Sequence, residues 1–104
     1  MAAYVVVEVE ETDPVKCEQH WQMVPPSIQK YGGRLLVLGG AVHTLEGTRS
    51  PKRFAIIHFY SVERAKAWWG SPEYRDAKRL RQASARTEMF CLEGVGHVLV
   101  NLGP

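Results

Sequence analysis

The run Trp68-Trp69-Gly70-Ser71-Pro72-Glu73-Tyr74 constrains this chain more than any other stretch. Gly70 closes one helix, Ser71 offers a hydroxyl to the free amides of the next, and Pro72 sits in a first turn that has no use for its missing N–H. Tyr31-Gly32-Gly33-Arg34 is a second junction of the same kind. Its glycines tolerate the left-handed backbone on which helices end, and Arg34 opens a strand. Two such breaks divide the chain into short, definite elements.

Tyr4 to Glu10 is β-branched and begins to alternate, so it predicts a strand with Val5, Val7 and Val9 on one face. Asp13-Pro14 starts a helix whose apolar stripe runs Cys17, Trp21, Val24, Ile28, Tyr31 at helical spacing. Pro25-Pro26 falls inside that stripe and predicts two helical pieces or a sharp kink. Arg34 to Leu38 is a strand; Gly39-Gly40 bends it, and it continues as Ala41 to Glu46. Gly47 to Lys52 turns the chain, and Arg53 to Tyr60 returns as a third strand. Ser61 caps a second helix with Val62, Ala65 and Trp69 on its buried side; a third runs from Ser71-Pro72 to about Ser84. Thr87 to Leu92 is a fourth strand, and Val95 to Val100 has the pattern of a short fifth. The order β-α-β-β-α-α-β is the split βαβ, ferredoxin-like pattern: an α+β fold with one antiparallel sheet and its helices on a single face.

The 104 residues make one domain, 1–104, with a thin core. A net charge of +2 gives no grip on nucleic acid or on a membrane surface, and the basic stretch from Arg75 to Arg86 is interleaved with acids, as a solvated helix face is. The apolar runs are too short to span a bilayer, and the N-terminus enters a strand without a signal-like segment, so the expected setting is cytoplasmic. Cys17 and Cys91 are far apart and read as two buried thiols.

The run Val24-Pro25-Pro26, Lys30-Tyr31-Gly32-Gly33-Arg34, Gly39-Gly40-Ala41-Val42, Leu45-Glu46-Gly47, Phe59, Ala67-Trp68 and Ser71-Pro72-Glu73-Tyr74 resembles the family known as domain of unknown function 1330. The resemblance covers about residues 3–94 and leaves 95–104 as an extension. It implies a dimeric α/β barrel, in which the sheets of two copies pair. It implies no agreed reaction. The wider superfamily holds cofactor-free monooxygenases, muconolactone-type isomerases, polyketide cyclases and plain binding modules, an analogy of fold and no more.

Polar residues suggest a site. Pairing Glu46 with Arg53 across the turn would set His43 and His58 as diagonal neighbours on one face, about 7–8 Å apart. Two imidazoles at that range suit a base and an acid flanking a small ligand; a slip of one residue would separate them. His43 and His58 are therefore the candidate catalytic pair. His20, Tyr31, Arg34, Arg53 and Trp69 are candidate substrate contacts: His20 beside the stripe facing a helix–sheet cleft, Arg34 guarding it, Arg53 as a carboxylate anchor if it is not simply paired with Glu46. The histidines and cysteines lack metal-ligand spacing, and no phosphate-cradling glycine loop is present, so neither metal nor nucleotide cofactor is expected.

The combined expectation is a homodimeric small-molecule enzyme without an organic cofactor. It would perform isomerase-, cyclase- or lyase-type proton transfer on an apolar or aromatic, oxygenated metabolite. The alternatives are a non-catalytic small-molecule-binding or accessory protein, and a cofactor-free monooxygenase.

Overall fold

β-branched residues at alternate positions make Ala3–Glu11 a strand, β1, whose Ala3, Val5, Val7 and Val9 are buried while Tyr4, Val6 and Glu8 turn to the opposite face. In this computed structural model, which describes residues 1–95, the remaining elements are α1 (Pro14–Lys30), β2 (Arg34–Leu38), β3 (Arg53–Phe59), α2 (Val62–Trp69), α3 (Pro72–Ser84) and β4 (Ala85–Glu93). The strands form one antiparallel sheet in the order β2-β3-β1-β4. With the helices against one face, this is a ferredoxin-like α+β fold. The short strand expected from Val95 to Val100 falls, beyond its first residue, outside the described residues.

Each helix starts on its expected cap. Asp13 Oδ1 accepts from Lys16 N at 3.2 Å, Ser61 Oγ from Arg64 N at 3.2 Å, and Ser71 Oγ from Tyr74 N at 3.2 Å. At the end of α1, Gly32 takes φ +74°, and Gly33 lies so close to Phe59 that a Cβ there would stand 2.6 Å from the ring.

Three expectations need correction. Of the two pieces or sharp kink expected at Pro25 and Pro26, the two pieces are not formed: α1 is one helix through both prolines. Trp21 and Val24 before the prolines and Ser27 and Ile28 after them are all buried, and one helix keeps them on one stripe. Strand β2 stops at Leu38; residues 39–52 form a loop instead of extending it, and Gly39 N makes the last bond, 2.9 Å to Phe54 O. That loop is tied down by its own contacts, Arg49 to Glu8 and Thr44 Oγ1 to Arg49 O. On α2 the buried tryptophan is Trp68, 1% exposed, and Trp69 is 47% exposed. Trp68 wins the interior because it stacks on Tyr74 at 4.1 Å and packs near Phe59 at 5.5 Å.

Candidate functional site

The helix-side wall of the sheet and the inner faces of α2 and α3 border an open-mouthed chamber of about 590 Å³, lined by Ala65, Lys66, Trp68, Trp69, Arg81 and Met89 among others. That volume suits a metabolite of one or two rings. Arg81 stands at its inner wall. Its position follows from α3, where Tyr74, Ala77, Arg81 and Ser84 are the buried residues, a stripe of helical period.

Arg81 is 5% exposed. Its Nε donates to the Tyr74 hydroxyl at 3.2 Å and its Nη1 donates to Thr87 Oγ1, so the guanidinium joins α3 to β4. The ion pairs among the described residues join Lys30 to Glu73, Arg49 to Glu8 and Arg53 to Glu11, and none includes Arg81. Burial pushes the Tyr74 phenol up, opposed by the Arg81 charge.

Behind Arg81 lies a recess of about 10 Å³, room for about one water, between α1 and the sheet. It shares Trp68, Arg81 and Met89 with the chamber and is also lined by His20. His20 is 1% exposed, and neither ring nitrogen has a hydrogen-bond partner. Burial first, and the Arg81 charge second, lower it from 6.5 to about 4, so the ring is neutral at neutral pH. A neutral imidazole has one nitrogen free to accept a proton and one N–H to give.

The other expected site residues scatter. The Glu46–Arg53 pairing is not formed; β3 pairs with β2 through Arg34↔His58, and His43 is exposed in the 39–52 loop. The geometry that placed His43 beside His58 is therefore absent. His58 lies on the sheet face turned away from the helices, between the rings of Tyr4 at 5.5 Å and Tyr60 at 5.6 Å. Arg34, exposed, pairs with it from β2. Arg53 bonds Glu11 at 2.7 Å and Gly39 O at 2.9 Å and lies over the Trp21 ring, so its acidic partner is Glu11 and not Glu46. Tyr31 donates to Glu73 Oε1 at 2.5 Å, which raises the phenol and lowers the carboxyl. Only His20 and Trp69 of the expected contacts border the two adjoining cavities. Cys91 is exposed at the chamber and not buried as expected; Cys17 is buried.

Sequence reasoning missed Arg81. The signal was present, because the three-and-four spacing that identified the α1 stripe also passes from Tyr74 through Ala77 to Arg81. Among the described residues no group of three or more His, Cys, Asp or Glu gathers in metal-binding range, and no helix is long and apolar enough to cross a membrane.

A family model for a domain of unknown function, DUF1330, matches residues 2–95. The chain belongs to the DUF1330 family. Comparison with curated proteins finds no match. Among solved structures, this DUF1330 chain is similar to RPA0582, a protein of unknown function from Rhodopseudomonas palustris, at 18% identity and a TM-score of 0.73, over 90% of this chain and 82% of that one. A dimeric ferredoxin-like protein of unknown function from Jannaschia sp. CCS1 is similar at 13% identity and a TM-score of 0.72, over 90% and 100%. SnoaB from Streptomyces nogalater, a cofactor-independent oxygenase, is similar at 10% identity and a TM-score of 0.64, over 93% and 96%. At these identities the likeness concerns the fold of the DUF1330 chain.

Proposed function

We propose that this DUF1330 protein is a small-molecule enzyme that works without an organic cofactor. It moves a proton on an apolar or aromatic, oxygenated metabolite held in the chamber under α2 and α3. The observation that carries this reading is His20, a fully buried, neutral imidazole with both nitrogens unpartnered, lining a recess that shares a wall with that chamber. An unsatisfied buried polar group is costly, roughly 1–3 kcal/mol, and His20 carries two such atoms where the neighbouring Trp21 indole carries one. In the proposed step an acidic C–H beside a carbonyl breaks, its electron pair becomes the enolate, and a single water seated in the recess takes that proton while giving one of its own to His20. Return of that proton at a different carbon completes an isomerisation with no further reactant.

A second copy of the chain completes the particle. Val6, Ile56 and Phe90 meet across neighbouring strands on the sheet face that carries no helix, and Leu92 extends the same apolar patch. Closure of that face by its own copy agrees with the dimeric description of the Jannaschia structure.

The test is solvent deuterium exchange at the acidic carbon of phenylpyruvate, followed by NMR. The wild-type protein accelerates exchange over buffer, and His20→Phe, which keeps a ring against Trp21, removes the acceleration while the fold persists. Binding of phenylpyruvate without any acceleration would instead favour the accessory-protein reading. The SnoaB likeness favours one other outcome, in which the same carbanion is trapped by molecular oxygen; oxygen uptake with the same probe detects it.

A further inference from the structure

The chamber wall carries charge of one sign. Lys66 and Arg81 line it, and no aspartate or glutamate does. Arg81 is buried, and its hydrogen bonds among the described residues go only to two hydroxyls; Nη2 makes none of them and is not among the solvent-excluded unpartnered atoms, so it is open to the chamber side. Buried guanidinium groups are ordinarily matched by a carboxylate, because an isolated buried charge is expensive. Thr87, which lines the chamber, accepts a hydrogen bond from Arg81 and keeps its own O–H proton to give away, while Tyr74 holds the guanidinium from the recess side. Beside this polar end the wall is apolar and aromatic, with Ala65, Trp68, Trp69 and Met89.

We infer that Arg81 is the receptor for a carboxylate, and that the chamber takes aromatic monocarboxylates as a class. The planar edge of a guanidinium matches the two oxygens of a carboxylate, Lys66 adds long-range attraction, and the half-exposed Trp69 with Met89 offers apolar surface to the ring system. The site couples to His20 as well. The Arg81 charge helps hold that imidazole neutral, so an anion on Arg81 screens it and makes His20 a better proton acceptor once the ligand is seated. This inference rests on the chamber being the working site, but it concerns recognition and is tested apart from turnover.

The experiment compares 2-naphthoate with 2-naphthamide, which share shape and differ in charge, by titration calorimetry against the wild-type protein, Arg81→Gln and Arg81→Lys. The wild type binds the carboxylate at least ten times more tightly than the amide. Arg81→Gln abolishes that preference, and Arg81→Lys keeps part of it. Should Arg81→Gln fail to fold, the Arg81 15Nε resonance of the wild type reads the same contact, shifting with 2-naphthoate and not with 2-naphthamide. A rise in the pH at which the His20 ring titrates, on adding 2-naphthoate, supports the coupling. Equal affinity for acid and amide, an undiminished preference in Arg81→Gln, no binding of either at millimolar concentration, or inorganic phosphate displacing 2-naphthoate at equal concentration each overturns it. Tight 2-naphthoate binding with no phenylpyruvate exchange would leave this inference standing and remove the catalytic one.

Discussion

The indole N–H of Trp68 donates to Ser27 Oγ at 3.0 Å, and that hydroxyl donates in turn to Val24 O at 2.7 Å. A single serine on α1 thus satisfies the one polar atom of the largest fully buried side chain. The adjacent Trp69 has no such role: it is 47% exposed, with the Lys78 ammonium 3.9 Å from its ring centre. Trp68→Ala is expected to destabilise by about 3–5 kcal/mol, as truncation of a buried Trp does. Trp69→Ala is expected to cost less than about 1 kcal/mol, the usual range for a surface change. Urea denaturation of the two variants side by side distinguishes them, and a reversal of the order would put Trp69 in the core.

Gly33 faces the Phe59 ring with no room for a methyl group. Gly33→Ala should destabilise by roughly 1–3 kcal/mol through overpacking. Adding Phe59→Leu to Gly33→Ala should return part of the loss, a coupling that two unrelated sites would not show. Denaturant midpoints of the single and double variants measure it.

His20 gives stability a pH dependence. Its folded value, about 4, lies below the ordinary 6.5, so between those values the unfolded chain binds a proton that the folded chain refuses. Stability contributed in this way is full above pH 6.5, falls by at most about 1.4 kcal/mol per pH unit as pH drops towards 4, and levels off below. His20→Phe should flatten that limb. Melting temperatures from pH 4 to 8 test it; an identical slope in the variant would assign the effect to other groups.

The apolar face of the sheet supplies a fourth expectation. Val6 is opposite Ile56 on one side and Phe90 on the other. Sedimentation equilibrium at micromolar concentration should give twice the 11.7 kDa chain mass for the wild type and the single chain mass for Val6→Asp. Unchanged far-ultraviolet circular dichroism in Val6→Asp would show that assembly is lost and not the fold. A wild-type monomer refutes the dimer.

What could be read from the residues was whatever depends on neighbours within a few positions. Asp13, Ser61 and Ser71 cap helices wherever the chain carries them, and the valines of β1 alternate by strand geometry alone. The choice between Trp68 and Trp69 depended on Tyr74 and Ser27, partners contributed by other helices, and helical spacing separates adjacent residues poorly. His43 and His58 were joined by assuming that β2 continued past Gly39-Gly40. The strand ends at Leu38, and the loop that follows it is tied to β1 by the bond from Arg49 to Glu8. Arg81 was open to discovery by the arithmetic used on α1, but an arginine within a basic helix reads as solvated until its burial is seen.

The proline pair in α1 has a consequence for exchange with solvent. Pro25 and Pro26 supply no N–H, so the carbonyls of Trp21 and Gln22 lose the donors that a helix would bring them, and the amide ladder has a two-rung gap. Beyond the gap, the last turn of α1 keeps its own amide rungs and is also anchored by its side chains, Ile28 in the core and Ser27 on the Trp68 indole. Deuterium uptake at the amides from Ser27 to Tyr31 therefore reports on α2 docking, and uptake before Pro25 reports on the helix itself. Exchange at these two sets of amides is therefore expected to follow two different clocks within one helix.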